Sequence, residues 1–389
     1  MHGNASIPKH RRQRFWKTSF LLLGLTLFPG FFGFAGAASG QAGSPEKTAV
    51  RGVWAHPGFF GPEKDSAAAK IKATLDGYVQ AGINTVIILV KSTSGHVYFQ
   101  SQIGVQDPAY KWDFFGVFFE EAKKRDISVH PWFCVFPESA VLGRVREHPE
   151  WLVMNDAGEM TTAANAALPQ VREYELGLML ELLKKYPVDW LHLDYIRFPC
   201  SPKEPYFSFD AQTRSLFEKA SGQDPLALKS KDSGNLFWNE WIEWNGEQVT
   251  QFVRELREAV KSVGRPVKIS AAVFPSADKA KVLIGQDWEG WAKQGLIDML
   301  CPMLYTNHHG LFEKYARRAV EIGGGRVIVC PGIGIGTSHN QNTPAGMLEQ
   351  MNISRRLGAN GVIFFSSSSL KENFLQSLRS GRAPRPLPK

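Results

Sequence analysis

A histidine, an aspartate and an arginine close a short apolar run within the segment 188–199. Side chains alternate across a β-strand, so His192 and Asp194 share one face, and leucines occupy the other. We expect that face to point into a site at the end of the strand, where Arg197 keeps the Asp194 carboxylate ionised. Such a carboxylate can act as a nucleophile or as an electrostatic stabiliser. The alternative interpretation is a structural Asp–Arg pair.

A second polar cluster accompanies the predicted strand Ser128–Val135. His130 and Trp132 share one face of this strand, and Glu138 lies just beyond its end. An apolar setting raises a carboxyl pKa, which would make Glu138 a general acid; a solvated loop glutamate is the alternative. Asp287 is the other candidate acid, with a helix N-cap as its alternative role.

Other side chains at the ends of predicted strands suit a carbohydrate. Polar groups that can hydrogen-bond to sugar hydroxyls are supplied by Lys91, Tyr305 and Asn307. Indole rings that can stack on sugar faces are supplied by Trp54, Trp132 and Trp288. The residues expected to orient a substrate and to tune pKa values are Arg197, His192, His130 and Tyr305.

The elements that must position these residues repeat one unit: a β-branched apolar run, a loop, an amphipathic stretch and a tight turn. The apolar runs predict eight strands, at Val50–Ala55, Thr85–Val90, Ser128–Val135, Trp190–Asp194, Val267–Val273, Met299–Tyr305, Val327–Cys330 and Gly361–Phe365. The amphipathic stretches predict helices at Ala67–Gln80, Phe114–Lys124, Arg172–Lys184, Glu240–Ser262, Trp288–Lys293, Leu311–Glu321 and Ala345–Leu357. The links from strand to helix are long, above all at 136–170 and 195–236.

This order predicts an α/β fold, a (β/α)8 TIM-type barrel with long βα loops, over residues 50–378. Runs that are apolar on both faces suit parallel strands covered by helices. The functional site is then expected at the C-terminal ends of the strands. The alternative is an open doubly wound sheet, which needs a glycine-rich first turn that residues 56–60 lack. The glycines at 332–336 indicate a tight turn across the barrel mouth.

The formal net charge of +8 lies at the two ends of the chain. Residues 1–38 carry five basic side chains and residues 377–389 carry four, without any acid, which leaves the middle near −1. A near-neutral folded part argues against nucleic acid as a partner. The basic start, the apolar run 20–34 and the small residues that follow predict a signal peptide over residues 1–38. A retained anchor is the alternative.

Residues 39–49 are then a lead-in and residues 379–389 a basic, proline-rich tail. The mature protein is expected to be exported (periplasmic or extracellular), with no stable membrane span after cleavage. The four cysteines lack the spacing of metal ligands, and we expect no disulfide and no metal. A Walker motif, a dinucleotide signature and a G-x-S-x-G elbow are all missing, so no cofactor is expected.

Motifs along most of the chain resemble the glycosyl hydrolase-like family 10 proteins. The most specific is H-L-D-Y-I-R-F-P at 192–199, which is similar to that family's H-x-D-Y-I-R-Y/F-P stretch. Further matches follow in the family's order: R-G-V-W at 51–54, H-P-W at 130–132, Q-D-W at 286–288, G-L-I-D at 295–298 and P-M-L-Y at 302–305. The resemblance therefore covers most of the predicted barrel.

The resemblance implies a (β/α)8 glycosidase-like domain, exported in bacteria, with some members acting on cell-wall glycan. By analogy with related barrel glycosidases, it places the nucleophile at Asp194. Two positions depart from the family's pattern. Lys91 stands where the family more often has Arg, and Trp244-Asn245 stands where a Trp-Arg pair is expected.

We therefore predict a glycosidase that acts on an extracytoplasmic polysaccharide or oligosaccharide through a carboxylate pair. Asp194 would be the nucleophile or stabiliser, and either Asp287 or Glu138 the acid. One alternative is a non-catalytic carbohydrate-binding barrel, which keeps the aromatic mouth but lacks a second well-placed acid. A weaker alternative is a metal-dependent polysaccharide deacetylase, for which His192 and Asp194 supply too few ligands.

Overall fold

The computed structural model describes residues 49–200 and 205–381. The strands in that part of the chain are β1 (Val50–Ala55), β2 (Thr85–Lys91), β3 (Ser128–Cys134), β4 (Leu152–Met154), β5 (Met160–Ala164), β6 (Trp190–Asp194), β7 (Lys268–Val273), β8 (Met299–Pro302), β9 (Ile328–Val329), β10 (Gly332–Gly334) and β11 (Gly361–Phe365). The helices are α1 (Pro57–Phe60), α2 (Lys64–Gln80), α3 (Phe114–Lys123), α4 (Gly143–Glu147), α5 (Pro169–Lys185), α6 (Ala211–Ser221), α7 (Leu236–Ala259), α8 (Ala277–Ile284), α9 (Trp288–Lys293), α10 (His309–Gly323), α11 (Pro344–Arg356) and α12 (Glu372–Ser380).

Nine of the described strands form one parallel sheet, in the order β10-β11-β1-β2-β3-β6-β7-β8-β9. Its two edge strands, β9 and β10, are separated in the chain by only Cys330 and Pro331. The backbone N–H of Leu304, just beyond β8, also donates to Gly332 O in β10 at 3.1 Å. The sheet is therefore curled, and the predicted α/β class is confirmed.

The strands are parallel because a helical crossover returns the chain to the same end of the sheet between most of them, and these helices cover the outer face. All seven residues of β2 are buried, as expected for a strand covered on both sides. One apolar cluster lies between the sheet and the helices, and a second lines the concave inner face, where Trp54, Ile87 and Trp132 meet. Several helices start at side-chain caps, as at Asp113, whose carboxylate accepts from Gly116 N.

The eight predicted strands all occur, and β1, β6 and β11 have the predicted bounds. The long links contain structure that the sequence patterns did not predict, namely α4, the antiparallel pair β4–β5 and α6. Helix α12 runs to Ser380, two residues into the predicted tail. The predicted signal peptide, the lead-in up to residue 48 and tail residues 382–389 lie outside the described residues. Among those described, no helix is both long and apolar enough to cross a membrane.

Candidate active site

A cavity of about 850 Å³ opens at the carboxyl ends of the parallel strands. Its wall is mostly aromatic and aliphatic, and Leu311 and Tyr315 of α10 contribute to it. The other lining residues lie at the ends of the sheet strands or in the loops that follow them: Trp54, His56, Leu89, Ser92, Thr93, Tyr98, Trp132, Cys134, Asp194, Tyr195, Arg197, Ala272, Phe274, Pro275, Met303, Leu304, Tyr305, Thr306, Thr337, Ser338, His339 and Phe365. An apolar pocket with a few convergent polar groups is the usual form of a small-ligand site. Its place agrees with the end of the sheet predicted from the sequence.

Asp194 is the last residue of β6, and its side chain lines the cavity while remaining 6% exposed. Its Oδ1 accepts hydrogen bonds from Tyr195 N at 2.6 Å and from Arg197 Nη1 at 3.3 Å. Burial raises the pKa of this carboxyl, and the opposing effects of Arg197 and the Tyr195 N–H do not reverse the shift. Among the described residues of the wall, Asp194 is the only carboxylate. A buried carboxyl with a raised pKa is suited to donating a proton.

The Arg197 guanidinium lies between two aromatic rings. Its central carbon is 4.2 Å from the Tyr195 ring centroid and 4.9 Å from that of Phe274. Its buried Nε has no hydrogen-bond partner among the described residues. Tyr195 has a φ of +50°, in the left-handed region that non-glycine residues rarely adopt, and such strain often marks functional sites.

The aromatic wall is held at close packing distances. The rings of Tyr305 and Phe365 stack with centroids 5.2 Å apart, and Trp132 meets His56 edge to face at 4.8 Å. A Cβ at Gly332 would lie 3.2 Å from the Trp54 ring, so a residue without a side chain suits that place in β10. The Trp132 indole N–H is buried and lies close enough to the Asp194 carboxyl to act as a hydrogen-bond donor that lowers the pKa of Asp194.

His130 and His192 lie beneath the cavity and do not line it, which corrects the prediction that they contact substrate. Burial lowers the pKa of His192 well below its ordinary value and that of His130 to about 3, so both rings are neutral. Trp54 Nε1 donates to His192 Nε2 at 3.1 Å, and the Nδ1 atoms of both histidines lie within 3.1 Å of Ser270 Oγ. Ser270 in turn donates to Leu191 O at 3.0 Å. His192 therefore positions Trp54, which does line the cavity.

We expect His192→Phe to lower the free energy of unfolding by about 1–3 kcal/mol, because the buried Trp54 N–H loses its acceptor. Urea denaturation measures the change. His309→Ala, at an exposed histidine of α10, is the matched control and should stay within about 0.5 kcal/mol of the wild type. An unchanged stability of His192→Phe would contradict the positioning role.

Lys91 and Glu138, both predicted to face substrate, are instead fully buried outside the cavity wall in a charged cluster with Glu175 of α5. Lys91 Nζ donates to Val135 O at 2.7 Å, to Cys134 O at 3.3 Å and to Glu175 Oε1 at 2.9 Å. Glu138 Oε1 lies 2.9 Å from Lys91 Nζ, but neither of its oxygens has a hydrogen-bond partner among the described residues. The Lys91 ammonium group is therefore fully engaged with carboxylate and carbonyl oxygens of the protein and does not face the cavity.

The same cluster ties two loops at the rim of the cavity. Gly95, with a φ of +90°, approaches Glu138 so closely that a Cβ there would lie 2.0 Å from Oε2. The neighbouring backbone is paired as well, since Ser139 N donates to Thr93 O at 3.0 Å. Thr93 lines the cavity, so the buried charges support part of the cavity wall from behind.

Three further predicted site residues also lie outside the cavity wall. Asp287 caps α9, since its Oδ1 accepts from Gly290 N at 2.9 Å, and its Oδ2 pairs with Lys281 at 3.2 Å. Trp288 is 0% exposed in the core, so it cannot stack on a sugar without rearrangement. The Asn307 side chain donates to Gln341 O at 2.8 Å and holds two loops together.

The cavity thus brings together five of the predicted site residues: Asp194, Arg197, Trp132, Trp54 and Tyr305. Burial, with the nearby Asp194 charge, raises the pKa of Tyr305 and keeps its hydroxyl protonated. Sequence reasoning missed His56, Tyr195, Phe274, residues 337–339 and Phe365. Each of these lies within a few residues of the end of a predicted strand or of the glycines at 332–336, and that position was the available signal. Those glycines were predicted to form a tight turn, but Gly332–Gly334 form β10.

A curled parallel sheet with an aromatic cavity and a buried acid at the carboxyl ends of its strands defines an α/β protein with a ligand site at that end of the sheet. The family model for glycosyl hydrolase-like 10 matches residues 49–342, which is most of the chain. The chain therefore belongs to the glycosyl hydrolase-like 10 family.

Two curated relatives carry the name glycosyl hydrolase. YngK of Bacillus subtilis (strain 168) is 23% identical over 265 residues, covering 59% of this chain and 48% of that protein. DigH of Escherichia coli (strain K12) is 22% identical over 274 residues, covering 59% of this chain and 56% of its own. The chain thus matches about half the length of these relatives.

Solved structures of glycosidases share the fold. The glycoside hydrolase domain of PgaB (BpsB) from Bordetella bronchiseptica superposes with a TM-score of 0.66 at 14% identity, covering 85% of this chain and 98% of that one. The catalytic domain of β-amylase from Paenibacillus polymyxa gives a TM-score of 0.60 at 11% identity, covering 88% and 100%. At these identities the likeness shows the fold alone.

Proposed function

We propose that this protein is a glycoside hydrolase that cleaves an extracytoplasmic polysaccharide, with cell-wall glycan as the first candidate substrate. The observation that carries the proposal is Asp194, a buried acid of raised pKa in an aromatic cavity at the carboxyl ends of the strands. Trp54, Trp132 and Tyr305 offer rings for stacking on sugar faces. Membership of a glycosyl hydrolase-like family supports the same reaction class.

The raised pKa favours Asp194 as the proton donor rather than the nucleophile suggested by its strand position. A glycosidic oxygen is a poor leaving group until it is protonated, and a carboxyl whose pKa is raised by burial is suited to supplying that proton. Arg197, paired to Oδ1, would stabilise the carboxylate that remains after the transfer. The Trp132 indole N–H, which lowers the pKa of Asp194, would stabilise the same carboxylate.

Most glycosidases use two carboxylates, whereas the described cavity wall holds one. Glu138 and Asp287, the predicted partners of Asp194, both lie outside that wall. In substrate-assisted hydrolysis, the carbonyl oxygen of a 2-acetamido group attacks the anomeric carbon in place of the second carboxylate, while the glycosidic C–O bond breaks and the acid protonates the leaving oxygen. Water, deprotonated by the same carboxylate, then opens the cyclic intermediate. This mechanism needs only one acid from the protein. Because cell-wall glycan is built of 2-acetamido sugars and neutral glucans are not, we favour cell-wall glycan as the substrate.

The same proposal includes a closed barrel as the fold and export from the cytoplasm as the location of the protein. We take β9 and β10 as two halves of one strand, which would close the curled sheet into a (β/α)8 barrel with the cavity at its mouth. We take residues 1–38 as a signal peptide, because of their basic start and apolar run, and the protein as exported.

Incubation of the purified protein with peptide-free cell-wall glycan is expected to release soluble oligosaccharides, which mass spectrometry detects. Common α- and β-glucans should release none, because they lack the 2-acetamido group. Equal release from glucans would contradict the substrate-assisted mechanism. An absence of release from every glycan would contradict the hydrolase itself.

The second candidate function is carbohydrate binding without hydrolysis, and the single carboxylate of the described wall favours it. Two measurements separate these functions. A binding protein would bind the glycan in calorimetry, but it would release no fragments detectable by mass spectrometry, even at a stoichiometric protein concentration. Within residues 49–200 and 205–381, no group of three or more His, Cys, Asp and Glu side chains could hold a metal ion.

A further inference from the structure

A second cavity of about 420 Å³, which we call the annex, adjoins the one that contains Asp194. Phe274, Pro275 and Tyr315 line both cavities and form the partition between them. Cys200 and Leu283 line the annex alone. We infer that the annex is a further sugar subsite, which takes a pyranose ring beyond the partition when the glycan occupies the cavity. This inference rests on the proposed function and extends it to the length of the substrate.

The partition is fixed in place before any ligand arrives. Phe274 N donates to Gln286 Oε1 at 2.9 Å, and Gln286 is fully buried. The Gln286 amide nitrogen lies 3.3 Å from Ala272 O, which ties the loop after β7 back to its own strand. The Arg197 guanidinium lies against the Phe274 ring, 4.9 Å from its centroid. A subsite with rigid walls binds more tightly, because little side-chain freedom is lost on binding.

The chemistry of the annex suits the apolar face of a neutral sugar. Most of its exposed wall is apolar, and Phe274 and Tyr315 contribute aromatic rings. Lys279 is the only charged side chain among its described lining residues, and it is itself exposed at the surface. A monosaccharide bound at Asp194 would leave the annex empty. The substrate class is therefore an oligosaccharide or polysaccharide long enough to span both cavities.

Blocking the annex tests the inference directly. Cys200 is the exposed thiol of the four cysteines, whereas Cys134, Cys301 and Cys330 are buried, so a maleimide reagent should label Cys200 selectively. Calorimetry would use the Asp194→Asn variant, which is expected to bind without turnover, and peptide-free cell-wall glycan fragments separated by length. The label should weaken binding of fragments that reach the annex about tenfold and leave the shortest bound fragments unchanged. Cys200→Ser treated with the same reagent is the control.

A substitution provides an independent block. Leu283→Trp should fill the annex and reproduce the length-dependent loss, whereas Val282→Trp should not, because Val282 is 45% exposed on the same helix and lines neither cavity. The annex assignment alone is overturned if long fragments bind equally well with the annex open and with it blocked. It is also overturned if blocking weakens the binding of fragments of every length equally. An absence of binding at every length in the unlabelled protein overturns the proposed function and the annex together.

Discussion

Replacement of Asp194 by asparagine is expected to lower the turnover number on peptide-free cell-wall glycan by about 10²–10⁴-fold, the range attributed to a lost general acid. Asparagine has the same shape, and its Oδ1 can still accept from Tyr195 N and from Arg197. The Michaelis constant should change little, because the aromatic wall that binds the sugar is untouched. Reducing-end release measures turnover, and thermal unfolding shows whether the variant remains folded.

The matched control for this experiment is Asp287→Asn. Asparagine caps helices as well as aspartate does, and Asp287 lies outside the cavity, so activity should stay near that of the wild type. A large loss in Asp287→Asn with turnover retained in Asp194→Asn would reverse the assignment. The pH profile gives a second check. If Asp194 must be protonated, turnover of the wild type should fall as the pH rises through its raised pKa.

Strand alternation predicted the face on which each side chain lies but not its depth. His192 and Asp194 share a face of β6, as predicted, yet only Asp194 reaches the cavity. Two residues along a strand are about 6.6 Å apart, which is a full layer of side chains in a curled sheet. The depth depends on how neighbouring strands are staggered, and the register that pairs Cys134 with Asp194 is set by contacts between distant segments.

The charged residues show a different limit of sequence reasoning. Lys91 and Glu138 stand beyond or at strand ends, where functional side chains are expected, but they neutralise one another in a cluster completed by Glu175. Glu175 lies 84 positions from Lys91 in the chain, and nothing in the local pattern marks it as a partner. The role of Asp287 could not be decided from the sequence for a related reason, since aspartate serves both as a helix cap and as an active-site acid. The long apolar runs carried no such ambiguity, so all eight predicted strands occur, whereas the short strands β4, β5 and β10 were not predicted.

We expect Lys91→Met to lower the free energy of unfolding by about 3–5 kcal/mol, because it leaves two glutamates buried without their cation. Both Lys91 and the two carboxylates are 0% exposed, so water cannot replace the lost charge. Urea denaturation measures the loss. The triple variant Lys91→Met, Glu138→Gln, Glu175→Leu is the control, and it should recover much of the stability because no buried charge remains.

The pH dependence distinguishes this electrostatic cost from a simple packing defect. Burial, together with the Glu138 charge, raises the pKa of Glu175 from its ordinary value of 4.5 to about 8, although Lys91 opposes the shift. The folded protein therefore holds a proton on Glu175 that the unfolded chain releases, and this contribution to stability declines as the pH rises from about 4.5 to about 8. Without Lys91 the opposing effect is gone, so the deficit of Lys91→Met should be larger near pH 8.5 than near pH 5.5. Glu175→Gln should flatten the dependence, whereas an equal deficit of Lys91→Met at both pH values would show that lost packing, and not the unpaired carboxylates, destabilises the fold.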